Sequence, residues 1–76
     1  MRYAIVIEKA ESNFSAYVPD LPGCVATGKT LEEVQREISE AIAFHLDGMR
    51  ADGIDPAVPE SIVDYVQVAP ALEPDA

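Results

Sequence analysis

The stretch from Gly23 to Thr30 reads GCVATGKT and satisfies the pattern G-x-x-x-x-G-K-[ST] at every specified position. In a phosphate loop that spacing lets backbone N–H groups at the mouth of a helix surround the phosphates, while the lysine reaches the outer ones and Ser or Thr holds magnesium. The neighbouring residues argue against this chemistry. PDLP precedes the first glycine, where a buried parallel strand should end, and the intervening CVAT favours an extended strand over a coiled loop. The late candidate for a magnesium-binding aspartate, Asp64, falls within a run of strand composition rather than at its end. The local reading is simpler: Gly28 ends a strand, Lys29 is a turn residue and Thr30 caps a helix.

Carboxylates are the second kind of chemistry to weigh. A metal-dependent nuclease needs several of them converging on two ions about 4 Å apart, and Glu8, Asp64 and either Glu37 or Glu40 form the plausible trio. Glu8 falls near the end of a strand and the helical glutamates point away from the stripe that faces the sheet, so the three are not expected to converge. His45 lies between Ile42 and Met49 at helical spacing, which places it at the edge of an apolar stripe. Cys24 is the sole cysteine; no disulfide within the chain is possible, and a lone thiol at a strand start reads as a small packed side chain. No residue is assigned to catalysis, to a metal or to a cofactor.

Glu33, Glu37, Glu40 and Phe44 are spaced by four, three and four residues and so are expected to align along the helix flank opposite the apolar stripe. This acidic strip ending in an aromatic is the candidate partner-binding surface, for a basic partner or for a second protomer. A solvated helix face with one stray phenylalanine is the alternative.

The elements that would carry these residues follow from pattern. YAIVIEK (3–9) is β-branched and apolar on both faces, as in a strand inside a sheet, and FSAYV (14–18) pairs with it across a short polar turn as a hairpin. Pro19, Pro22 and Gly23 make PDLPG a turn, and a third strand, CVATG (24–28), follows. T-L-E-E from Thr30 matches a capping box, and Leu31, Val34, Ile38, Ala41, Ile42, Leu46 and Met49 then recur at spacings of three and four, predicting one long amphipathic helix. Gly48, Asp52 and Gly53 weaken and stop it. IDPAVPE (54–60) reads as a surface connection, SIVDYVQV (61–68) as a fourth strand, and the end of the chain, 69–76, as a disordered acidic tail. The order predicts an α+β layer in which one helix covers one face of a sheet and the other face keeps apolar side chains for a partner.

Seventy-six residues make one small core, and fourteen acidic against five basic side chains give a net charge of −9. That charge repels nucleic-acid phosphates and anionic lipid and favours a basic partner. The opening residues are too short an apolar run for a signal peptide or a membrane span, so a soluble, cytoplasmic protein is expected.

Taken in order, RYAIVIEKAESNFSAYVPDLPGCVATGKTLEEVQREISEAI and the later IDPAVPE resemble the HicB-type antitoxin family, with PDLPGC…G.TLEE as the specific combination. The likeness spans residues 1–68. It implies a partial RNase H-like fold: a three-stranded antiparallel meander, one helix on the sheet, and a fourth strand returning beside the first through a right-handed crossover (β-β-β-α-β). It also implies a non-catalytic protein that binds and neutralises HicA, a small basic mRNA-cleaving toxin, by covering its active site. Many members of that family carry a C-terminal helix-turn-helix or ribbon-helix-helix domain; here only PALEPDA remains after the expected fourth strand, so no direct DNA binding is expected. A homo-oligomer, with a dimer favoured, is the expected state. A small nuclease and an orphan self-associating module are the competing readings.

Overall fold

The structure, a computed structural model of the chain, describes residues 1–70. Three strands, β1 (Val6–Lys9), β2 (Phe14–Tyr17) and β3 (Val25–Gly28), precede one helix, α1 (Leu31–Ala51). The strands form an antiparallel meander in the order β1-β2-β3. The turn between β1 and β2 closes with the Ala10 N–H donating to the Asn13 carbonyl at 2.8 Å.

Register sorts the side chains onto two faces. Ile7, Ala16 and Ala26 lie in one cross-strand row, and Lys9, Phe14 and Gly28 in the next row of that face. Here Ala16 is buried, with Ile7, Phe14 and Ala26 packed against the core. The row Val6, Tyr17 and Val25 belongs to the opposite face, where Tyr17 and Val25 are exposed. An apolar row on the uncovered face is as expected.

α1 packs over β3 and β2 and makes no close approach to β1. Its stripe delivers Val34 and Ile38 as buried residues, with Ala41, Ile42 and Leu46 around them. Thr30 caps it from extended backbone, its hydroxyl accepting the Glu33 N–H at 3.0 Å. The return bond of the expected capping box, from Glu33 to the Thr30 N–H, is not among the hydrogen bonds of the described residues. At the far end the Ile54 N–H donates to the Met49 carbonyl at 2.8 Å with Gly53 at φ 71°, a left-handed stop that a residue without a Cβ adopts freely.

PDLPG is a turn, but it is also part of the core. The Val18 N–H donates to the Cys24 carbonyl, the Leu21 N–H to that of Val18 and the Cys24 N–H to that of Leu21. This folds Val18, Leu21 and Cys24 inward, all three buried. The ladder between β1 and β2 stops at Val6–Tyr17: the next residue along that faces β1, opposite Ala4, is Pro19, which has no N–H to donate. Tyr3–Ile5, expected within the strand, therefore find no ladder on that side.

The expected fourth strand is not shown. Residues 54–70 hold no helix or strand, and Ser61–Val68 are exposed and join no strand of the sheet. Their root is held by the Tyr3 hydroxyl donating to the Ala57 carbonyl and by Asp20, and a cleft of about 420 Å³ is lined by Pro59, Ser61, Ile62 and Val63 together with Arg2–Ala4. The expected acidic tail falls, from residue 71 onward, outside the described residues.

Candidate partner-binding surface

At about 100° per residue, Glu33, Glu37, Glu40 and Phe44 fall within one narrow arc of α1, roughly a quarter to a third of a turn from Val34 and Ile38. They flank the buried stripe rather than oppose it. Glu33 and Glu37 are accordingly half-buried, whereas Glu40 is exposed and Phe44 is 83% exposed. Glu33 stands beside Lys29, Thr27 and the Ser12–Asn13 turn at the rim of a shallow cleft. Arg50 and Asp47, at 3.1 Å, are the one ion pair among the described residues, so the three strip glutamates have no basic partner there. The strip can present unneutralised carboxylate next to a bare aromatic ring, the pairing that binds a cationic surface with an apolar centre.

The chemistry suggested by other residues does not assemble. Val25–Gly28 is committed to an antiparallel ladder with β2, so its backbone cannot curl around a phosphate. Gly28 serves another purpose: a Cβ there would meet the Val34 backbone N at 2.6 Å, because the helix start lies directly on β3. The GKT segment is a close approach followed by a cap. Glu8 is the residue before the last of β1, Glu37 and Glu40 ride the helix, and Asp64 accepts from the Tyr65 N–H at 2.7 Å on the exposed segment, so the trio does not converge. No cluster of three His, Cys, Asp or Glu able to hold a metal occurs among the described residues. Burial pushes the Cys24 thiol up from its ordinary value, which keeps it protonated and a poor nucleophile. His45 is half-buried on the edge of the helix stripe.

One polar cluster was not singled out from sequence. Asp20, in the PDLPG turn, accepts from the backbone N–H of Glu60 at 3.1 Å and of Ser61 at 3.0 Å, and from the Ser61 hydroxyl at 2.9 Å. The Ser61 N–H, against an opposing desolvation effect and with help from the Ser61 hydroxyl and the Glu60 N–H, holds the Asp20 carboxyl below its ordinary value. Forty residues of sequence separate the partners, so no local pattern marks them. The latch fixes where the chain leaves the domain, and beyond it Ile62, Val63, Tyr65, Val66 and Val68 are all exposed.

Fold and surfaces together define a small α+β meander domain with an acidic and aromatic strip on α1 and exposed apolar side chains on one sheet face and on Ser61–Val68. The chain belongs to the family described as HicB_like antitoxin of bacterial toxin-antitoxin systems, which it matches over residues 3–73. It is 44% identical over 61 residues to an uncharacterized 14.9 kDa protein of the rep-hol intergenic region of Haemophilus phage HP1, covering 80% of this chain and 44% of the phage protein. It is 51% identical over 47 residues to a UPF0150 protein of Helicobacter pylori, covering 62% of this chain and 65% of that one. The match therefore spans less than two thirds of either relative. Among solved structures, a chain of a HicA3 and HicB3 toxin-antitoxin complex superposes with a TM-score of 0.67 at 32% identity, covering 78% of this chain and 70% of that chain. Among the described residues no helix is long and apolar enough to cross a membrane.

Proposed function

We propose that this domain is the non-catalytic, neutralising half of a toxin–antitoxin pair, binding a small basic HicA-type mRNA-cleaving toxin in the cytoplasm and covering its active site. The observation that carries the reading is the match, in sequence and in fold, to a chain of a HicA3 and HicB3 toxin-antitoxin complex. Electrostatics supports it independently. A toxin that cleaves RNA must hold phosphates on a cationic surface, and a chain of net charge −9 competes for that surface. Opposite charge raises the encounter rate and disfavours wrong partners, while the apolar centre of the interface sets the lifetime of the complex. Glu33, Glu37, Glu40 and Phe44 supply both parts within one helix flank.

The test is co-expression with such a toxin. The two proteins co-purify, RNA cleavage by the toxin is suppressed at equimolar ratio, and association slows as salt rises. Glu37→Lys with Phe44→Ala weakens the complex at least about 100-fold, from loss of one charge contact, its reversal and one aromatic anchor. Failure to co-purify sinks the antitoxin reading; co-purification with unchanged affinity in the double variant moves the interface off α1.

A further inference from the structure

The segment Ser61–Val68 has the composition of a strand and no ladder, and β1 has an outer edge with no strand on it. From these we infer that the two complete each other between copies: the arm of one chain adds to the β1 edge of a second, reciprocally, giving a strand-exchanged dimer.

Five observations on this chain point to a second copy as the occupant. The arm is apolar on both parities, with Ile62 91%, Tyr65 90% and Val66 84% exposed, a surface that monomeric soluble domains seldom leave in water. The edge it would cover is equally unfinished. Every residue from Tyr3 to Ile7 is half-buried and none is fully buried, because α1 covers β2 and β3 but not β1. A strand laid along that edge would extend both the row containing Ile7 and the row containing Val6. Lengths agree, since the seven residues Ile62–Val68, at about 3.3 Å each, match the seven of Tyr3–Lys9.

Charge agrees as well. The arm holds a single charged residue, Asp64, and Arg2 and Lys9, two of the five basic residues of the chain, flank the edge. The exchange thus brings together the least acidic parts of a strongly acidic molecule. The hinge is suited to it. Pro56 and Pro59 stiffen the connection from α1, the Asp20 latch and the Tyr3–Ala57 bond fix where the arm departs, and an open cleft lies between Pro59, Ser61, Ile62 and Val63 at its root and the same chain's Arg2–Ala4. Exchange of an element that cannot close on its own chain is a low-cost route to a two-fold dimer. Arm and edge place roughly sixteen residues of each copy in the interface, somewhat below the 20 to 30 a side of standard-size interfaces, with main-chain ladder bonds in place of further side-chain contacts.

The experiment uses the full chain alone. Light scattering coupled to size exclusion is expected to give twice the 8.2 kDa chain mass. In a dimer mixed from isotope-labelled and unlabelled chains, filtered NOEs should connect arm amides of one copy to Tyr3–Ile7 of the other. Val63→Pro with Val66→Pro puts one proline on each parity, so a ladder donor is lost whichever way the arm is turned, and twice per dimer. The dimer dissociation constant should rise at least about 30-fold, with the helical circular-dichroism signal retained. A monomeric wild type, NOEs confined within one chain, or a double-proline variant that dimerises as tightly as wild type each overturns the inference. None of these outcomes depends on a toxin, so the test is separate from that of the antitoxin reading.

Discussion

Replacing Gly28 by alanine adds one methyl group where the structure has no room for it. The new Cβ would lie 2.6 Å from the Val34 backbone N, 2.9 Å from its Cα and 3.0 Å from the Glu33 carbonyl carbon. Ordinary contacts sit at about 3.5–4.0 Å, so β3 and the first turn of α1 must separate by close to an ångström. All three neighbours are backbone atoms and cannot rotate away. The displaced turn carries Val34, whose neighbour one turn on, Ile38, completes the buried pair of the helix. Overpacking of this kind costs about 1–3 kcal/mol. It outweighs the roughly 0.4–1 kcal/mol that alanine recovers by restricting the unfolded chain. Gly48→Ala is the matched control, because nothing lies within 4 Å of a Cβ at that position in the helix. There alanine should stabilise by about 0.5–1 kcal/mol. The same chemical change is therefore expected to have opposite signs, with midpoints of urea unfolding on the order of 1–2 M apart for a chain this small. Circular dichroism at one fixed protein concentration reads it. A Gly28→Ala protein as stable as wild type would show that helix and strand do not touch here, and would reopen the phosphate-loop reading of GCVATGKT.

Leu21→Ala tests whether PDLPG is core: at 1% exposure the leucine should cost about 2–5 kcal/mol on truncation, against about 0.5 or less for a surface turn, read from the same urea curves. The Asp20 latch should be complete above the ordinary carboxylate value near 3.9 and loosen as pH falls through the lower native value. Amide shifts of Glu60 and Ser61 followed from pH 6 down to about 2 should therefore move with a midpoint below 3.9, and Asp20→Ala should show the released shifts at neutral pH; a midpoint at or above 3.9 removes the latch.

Legibility followed the range of the interactions involved. Thr30 as cap, Gly28 as a strand end and Gly53 as a helix stop are local decisions, made by backbone groups within a few residues, and the sequence displays them directly. The helix stripe is equally local, since Val34, Ile38, Ala41, Ile42 and Leu46 need only a 3.6-residue period to fall on one side. Leu21 left no such signal. A turn has no periodicity, and the prolines that mark it as a turn give no hint that its apolar residues fill the space between sheet and helix. The strip on α1 was legible as an alignment of four residues but not in depth. Whether Glu33 and Glu37 stand clear or half-sunk depends on how far β3 extends beneath them.

The disputed stretch is SIVDYVQV, and it separates two meanings of strand. Composition reports that these residues are suited to a pleated, half-buried surface, which is a property of side chains. A strand in a sheet also needs an edge of matching length within reach, which is a property of geometry. In this chain the Asp20 latch and the Tyr3–Ala57 bond decide the second point. They anchor the root of the segment at Ala57, Glu60 and Ser61, and the residues from Ser61 to Val68 join no ladder with their own β1. The composition then has no use within one molecule, and eight residues rich in valine, isoleucine and tyrosine stay in water at a cost that burial would recover at about 25 cal/mol per Å². A second copy offers the same β1 edge without the constraint of the root, because the connection need not double back. On this argument the two exposures, of arm and of edge, have one cause. Removing the latch by Asp20→Ala should then do more than free two amides: it should let the arm reach its own β1, and shift the molecule from dimer toward a closed monomer.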